Sequence, residues 1–288
     1  MRLKYTFIGV LFLGLFACEN KVVTTKTGCT YEIVEESGGA AIQDGSFLQV
    51  VTSLRVFTDE ELVQKIDGHK PAVSKLVFSE VEKHPVFSIL KELSVGDSVK
   101  ITMPYNEEHK NFMPDNAKET TRVEYYVRVV SAEGEEEYNT RMQKERQEQI
   151  DKEDGEIQKY LSDNGLEAEK TESGLYYIIT EEKGGESPEP GDKVSVHYTG
   201  TLLDGSKFDS SVDRGTPFEF PLGQRRVIAG WDIGIDLLGK GDKATLLIPS
   251  RLGYGPSSPS PKIPANSILK FDVELVDFEK APEKNTLK

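Results

Sequence analysis

The chain has 288 residues, enough for two domains of ordinary size. Hydrophobic residues make up 37% and the formal net charge is −14, so a packed core is attainable inside a polar, self-repelling body. That charge argues against a nucleic-acid binder, which needs a basic face, and four histidines with no Cys/His motif leave no metal-site signature.

Arg2 and Lys4 are followed by an apolar run from Tyr5 to Ala17. It has the length of a signal-peptide core and is too short for a mature membrane span. It closes on Leu15-Phe16-Ala17-Cys18, which resembles the lipobox of bacterial lipoproteins. The resemblance implies a signal peptide over 1–17, a lipid on Cys18, and an exported protein anchored in the cell envelope, periplasmic or surface-facing. A plain secretory signal with an incidental cysteine is the alternative. Glu19-Asn20-Lys21 does not say which membrane or face. With Cys18 lipidated, Cys29 has no intrachain partner, and it reads as a small residue in a strand-like stretch rather than a reactive thiol.

TKTGCTYEIVEESGG from Thr25 and TESGLYYIITEEKGG from Thr171 lie 146 positions apart. At that offset Gly28 meets Gly174, Tyr31 meets Tyr177, Ile33 meets Ile179, Val50 meets Val196 and Tyr125 meets Phe271. LSVGDSVKITMP from Leu93 matches LGKGDKATLLIP from Leu238 with the offset one shorter. Two copies of one fold is the simplest account. The first copy falls over 22–132 and the second over 166–282. Between them, 133–165 is rich in Glu, Gln, Lys and Arg and free of proline, which predicts a charged linker helix. Its stripe of Tyr138, Met142, Ile150, Ile157 and Leu161 is too thin for a sustained coiled coil and suits a solvated bridge; pairing with a second chain is the other reading.

Both copies read mostly as strands. VSVHYTGTL and KATLLIP alternate apolar with polar or small residues, as half-buried strands do. Asp204-Gly205 marks a tight turn. GWDIGIDLLGKG predicts one short helix with Trp231, Ile235 and Leu238 on one face. Gly234 to Gly241 imitates a phosphate loop, but Gly241 stands where Ser or Thr should hold magnesium, so a nucleotide reading fails. Each copy is a sheet with a helix laid across it, an α+β architecture.

The blocks VHYTGTLLDGSKFDSS, PFEFPLG, VIAGWDIGI, YGPSS and ILKFDVELV, in that order and spacing, resemble the FKBP-type peptidyl-prolyl isomerases over about the last 120 residues. The resemblance implies two FKBP-like domains, each a curved antiparallel sheet wrapped on a short helix, the first degenerate. It implies isomerisation of X-Pro bonds in exported proteins, with no cofactor or metal. A non-catalytic chaperone or scaffold that only holds proline-containing segments is the competing reading.

The resemblance also distributes roles. Trp231 would floor the pocket, and Tyr198, Phe208, Phe218, Val227, Ile228, Ile263 and Phe271 would wall it. The Tyr254 hydroxyl and Ile228 N–H would donate to substrate carbonyls, and Asp209, held by Tyr198 and Arg214, would sit beside the twisting amide. His197 and Asp204 read as structural. The proline-rich loop from Gly255 to Ser267 reads as a flap at the pocket mouth or as a rigid surface loop. Lys262, where the family often has an apolar residue, would alter substrate preference or weaken macrolide inhibitor binding. In the first copy Thr52 stands for Tyr198 and Val86 for Trp231, and the Lys-Phe-Asp block has no counterpart, so a fold without the pocket is expected. Clients, oligomeric state and the role of this first copy are not legible in the chain.

Overall fold

The computed structural model describes residues 22–282, apart from 26–27, 69–71, 82–83 and 85. The segment read as a signal peptide, with Cys18, lies outside the described residues. Among the described residues no helix is long and apolar enough to cross a membrane. The chain divides into two compact units, the first ending at Met142 and the second beginning at Gln143.

The first unit is a fully antiparallel sheet. Its strands are β1 (Val22–Thr24), β2 (Thr30–Glu35), β3 (Phe47–Thr58), β4 (Glu61–Ile66), β5 (Ala72–Lys75), β6 (Ser98–Pro104) and β7 (Arg122–Glu133). They lie in the order β1-β2-β6-β7-β3-β4, and β5 shares β3 with β4. A short helix α1 (Phe78–Val81) and a 3-10 turn at Phe87–Glu92 cover the sheet, burying Ile89 and Leu90. Val86, Val99, Ile101, Met103, Val127 and Val129 join them in one core. The β3–β4 hairpin turns on Asp59 and Glu60, both left-handed at φ 53° and 64°, the geometry of a two-residue type I′ turn.

A long helix, α2 (Glu135–Asp163), opens with Glu135, Glu136 and Glu137, whose charge suits the positive end of the helix dipole. In the first unit its Tyr138 ring stacks on Phe47 at 4.0 Å. Its other end belongs to the second unit and terminates in a Schellman motif. Gly165 takes φ 62°, the Leu166 N–H reaches the Leu161 carbonyl at 2.9 Å and the Gly165 N–H reaches Ser162.

The second unit is again antiparallel: β8 (Glu169–Lys170), β9 (Tyr176–Glu181), β10 (Lys193–Leu202), β11 (Lys207–Ser210), β12 (Phe218–Pro221), β13 (Lys243–Ile248) and β14 (Leu269–Glu279). The order is β11-β10-β14-β13-β9-β8, with β12 beside β11 on β10. Helix α3 (Ser211–Arg214) follows β11, and α4 (Ala229–Asp236) lies on the sheet. The strand period of two sends Val194, Val196 and Tyr198 from β10, Leu246 and Ile248 from β13, and Phe271, Val273 and Leu275 from β14 into one core with Trp231, Ile235 and Leu238. Two glycines let α4 approach. A Cβ on Gly230 would stand 2.4 Å from Ile248, and one on Gly234 2.5 Å from Leu246.

The second half of α2 is no free solvated bridge. Ile157 and Leu161 pack with Tyr176, Leu247 and Ile268 in a separate small core. Glu153, 2% exposed, accepts from the Ser250 N–H at 2.8 Å and from the Ser250 hydroxyl. A charged residue in a charged helix carries no sequence mark of burial, so this anchor was not legible beforehand.

Strand pairing confirms the repeat residue by residue. Phe47 faces Glu133 as Lys193 faces Glu279, Thr52 faces Val127 as Tyr198 faces Val273, and Val56 faces Val123 as Leu202 faces Leu269. Both ladders carry a bulge at the same place, after Gln49 and after Ser195. The one-residue shift enters at β6 and β13: Val99 faces Val127 as Ala244 faces Val273.

Candidate functional site

The sequence builds the site from one face of three adjacent elements. Tyr198 on β10 and Phe271 on β14 point inward, while Trp231 rises from the first turn of α4. The Trp231 ring meets Tyr198 edge-on at 4.9 Å and Phe271 at 5.2 Å, with Phe218 at 6.0 Å. Phe208 meets Phe271 at 5.5 Å, and all of these except Phe218–Phe220 are steep edge contacts or tilted rings. Such geometry aligns the positive ring edges with negative faces. Gly200 makes the approach possible: a Cβ there would lie 2.5 Å from Phe208 and 2.8 Å from Phe271.

These rings enclose a cavity of about 480 Å³. Tyr198, Phe208, Asp209, Phe218, Val227, Ile228, Trp231, Tyr254, Ile263 and Phe271, each expected at the site, line it. Pro259 and Ser260, from the loop read as a flap at the pocket mouth, line it as well, and so does Arg226, which was not expected. Arg214 stands one step back, behind Asp209. Trp231 is 4% exposed, and its Nε1 is the one buried side-chain nitrogen or oxygen among the described residues without a hydrogen-bond partner.

The polar edge of the cavity is a triad of contacts. The Tyr198 hydroxyl donates to Asp209 Oδ2, Arg214 Nη1 donates to Asp209 Oδ1, and Arg214 Nη2 donates to the Tyr198 oxygen at 2.9 Å. The Ser210 N–H adds a fourth contact, to Asp209 Oδ1 at 2.8 Å. Burial works against charge on Asp209, but the bonds from Tyr198, Arg214 and Ser210 outweigh it and hold the carboxyl below the ordinary carboxylate range. Burial first, and the Asp209 charge second, push the Tyr254 hydroxyl above its ordinary value, so it stays a proton donor. It makes no hydrogen bond with the described residues. Ile228 caps α4, and its N–H is likewise free of any acceptor among them.

Two loops frame the opening. The first runs Gly223 to Ile228 and is pinned by Asp232, which accepts from the Gly223 N–H at 2.9 Å and the Arg225 N–H at 3.1 Å. The second carries Tyr254 and Ile263. It starts at the 3-10 turn Ser250–Leu252 that Glu153 holds, and the Asn266 N–H closes it on the Gly255 carbonyl at 2.7 Å. His197 and Asp204 stay out of the cavity: His197 Nδ1 meets the Ser211 hydroxyl at 3.1 Å, and Asp204 accepts from the Ser206 N–H in its turn.

Residues 184–276 match the family described as FKBP-type peptidyl-prolyl cis-trans isomerase. A peptidyl-prolyl cis-trans isomerase of Schizosaccharomyces pombe is 50% identical over 99 residues, which is 34% of this chain and 88% of that one. The chain belongs to the FKBP-type peptidyl-prolyl cis-trans isomerases. FK506-binding protein 2 of Dictyostelium discoideum is 60% identical over 86 residues, covering 30% of this chain and 65% of that protein. The FKBP-type isomerase FkpA of Aeromonas hydrophila is 49% identical over 125 residues, covering 43% of this chain and 46% of FkpA. The chain thus spans less than two thirds of these last two relatives. All the residues that line the cavity fall in the FKBP-type match, and the first unit lies wholly before it.

The first unit carries a different residue at each of the site positions that strand pairing aligns. At paired positions Thr52 replaces Tyr198, Leu54 replaces Gly200, Tyr125 replaces Phe271 and Ala72 replaces Phe218. Ile66 faces Leu54 where Asp209 faces Gly200. That last exchange is hidden in the sequence, because the β3–β4 hairpin is longer than β10–β11. Also hidden is a contact between Cys29 Sγ and His109 Nε2 at 3.5 Å, both fully buried, with His109 Nδ1 2.8 Å from the Pro104 carbonyl. Eighty positions separate the pair, so no motif announced it.

Proposed function

We propose that the second unit isomerises X-Pro bonds in segments of exported proteins and so assists their folding in the cell envelope. The observation that carries this reading is the cavity of about 480 Å³ with Trp231 among its walls and an ionised, hydrogen-bonded Asp209 at its edge. An amide must give up resonance to rotate, a barrier of roughly 18–20 kcal/mol, and without help the X-Pro bond takes about 10–100 s. The twisted amide is less polar than the planar one. A dry aromatic cavity therefore favours the twisted form over the ground state.

In this reading the proline ring rests on Trp231 between Tyr198, Phe208, Phe218, Val227, Ile263 and Phe271. The Tyr254 hydroxyl and the Ile228 N–H donate to substrate carbonyls. Asp209 lies beside the carbonyl of the rotating bond, oriented by Tyr198 and Arg214, and attacks nothing. Macrolides of the FK506 type would compete for the same space, with Lys262 weakening their grip. A lipid on Cys18 would hold the protein at a bacterial membrane, with the domain boundaries 1–17, 22–132, 133–165 and 166–282.

The test is the isomerisation rate of a proline tetrapeptide. The wild-type chain should accelerate it, and Trp231→Ala and Asp209→Ala should each reduce kcat/KM at least about tenfold. A chain that binds the peptide without accelerating it would make the protein a binding module instead. For the anchor, Cys18→Ser should move the protein from the membrane fraction to the soluble one.

A further inference from the structure

Ion pairing on the second unit is nearly complete. Every described lysine there except Lys262 pairs with a carboxylate. Of the arginines, Arg214 holds Asp209, Arg251 donates to the Ser173 carbonyl, and Arg146 stands on α2. Neither Arg146 nor Arg251 has a carboxylate partner among the described residues, nor do Arg225, Arg226 and Lys262, which are all three exposed.

These last three belong to or adjoin the residues that line the cavity. Arg226 lines it. Arg225 precedes it in a left-handed conformation, φ 55°, which an arginine adopts only at a cost and which Asp232 holds in place through the backbone. Lys262 lies in the turn that the Ile263 N–H closes on the Ser260 carbonyl at 3.0 Å, and Ile263 and Ser260 both line the cavity. The nearby acids offset this charge only in part: Asp209 is paired with Arg214, and Asp232 keeps its charge but turns its oxygens to the Gly223 and Arg225 N–H groups, which leaves the three cations in excess. In a chain of net charge −14, which repels acidic partners at long range, this mouth is a local reversal of sign.

We propose that Arg225, Arg226 and Lys262 form a cationic rim that selects proline segments bearing a carboxylate side chain within about two residues of the proline, the reach of an extended peptide crossing the opening. The proposal rests on the isomerase reading of the same cavity. The rim contributes to the selection of acidic peptides, while the aromatic cavity holds the proline itself.

The experiment pairs two peptide series on the full chain. Glu is placed in turn at each of the two positions before and the two after proline, with Gln at the same position as control. Turnover and affinity are both read, the latter from quenching of Trp231, the sole tryptophan. The Glu:Gln ratio should reach roughly two- to tenfold in at least one position at low salt, as expected of partly exposed ion pairs. It should fall toward one in about 0.5 M salt and in the Arg225→Gln/Arg226→Gln/Lys262→Gln variant. A ratio of one or less at all four positions overturns the rim, as does a ratio that the variant leaves intact. Loss of turnover on every Gln peptide would instead sink the catalytic reading, and the affinity ratio would then still decide the rim.

Discussion

Two copies of one sheet share strand order, pairing register and even the position of a bulge, yet only one belongs to the FKBP-type match. The difference lies in a few side chains at the positions that line the cavity of the second. Where the second copy has Gly200, the first has Leu54, so a side chain stands where Phe208 and Phe271 close on bare backbone. Where the second has Gly234 beneath its helix, Ile89 takes the matching position in the first, at an offset of 145, and a 3-10 turn replaces α4. A fold can be kept by the alternation of its strands while the residues at its cavity positions are exchanged.

The comparison breaks most sharply if the first copy turns over peptide. The double variant Trp231→Ala/Asp209→Ala in the full chain should lose at least about a hundredfold in kcat/KM, and turnover that stays within about tenfold of wild type in the peptide assay would mean the first copy is active. Next in size, Gly200→Leu writes the first copy's residue into the second. It should cost about a hundredfold in kcat/KM, because ring displacements near an ångström have that effect; near-UV circular dichroism would show whether the sheet survives.

A smaller effect is expected at Glu153, which has no counterpart role in the first copy. Glu153→Ala leaves the Ser250 N–H without its acceptor and should destabilise the second unit by about 2–3 kcal/mol, seen as an earlier transition in denaturant while the first unit's transition stays in place. The loop bearing Tyr254 begins at Ser250, so kcat/KM should fall with it. The smallest effect is in acid. Because the folded pKa of Asp209 is depressed, its contribution is present above the unfolded carboxylate value, about 3.9, and is lost as pH falls through the lower folded value. Turnover should therefore hold to below about pH 4, and Arg214→Met, which removes one of the groups that depress it, should raise the acid limb of the pH profile.

Much of this was legible in the chain. The repeat, the strands and the short helix announce themselves through local pattern and spacing, while the cavity side chains Tyr198, Trp231 and Phe271 are reached through the resemblance to the family, since each ring alone reads as core. What stayed hidden depends on pairing between distant segments. Ile66 came to stand at the position of Asp209 because a hairpin lengthened, Glu153 became buried because Ser250 met it, and Cys29 found His109 across the sheet. Arg226 went unnoticed for another reason: an exposed arginine in a loop has no signature until the loop is seen to frame an opening.

The shared bulge carries a cost during synthesis. β3 and β10 share one pairing register and one bulge position, so each has two geometrically matched mates in one polypeptide. A hybrid of β3 with β14 would oppose Leu54 to Phe271, and one of β10 with β7 would set Gly200 against Tyr125. Swapped pairings of this kind are the refolding failure expected of a chain with two matched sheets.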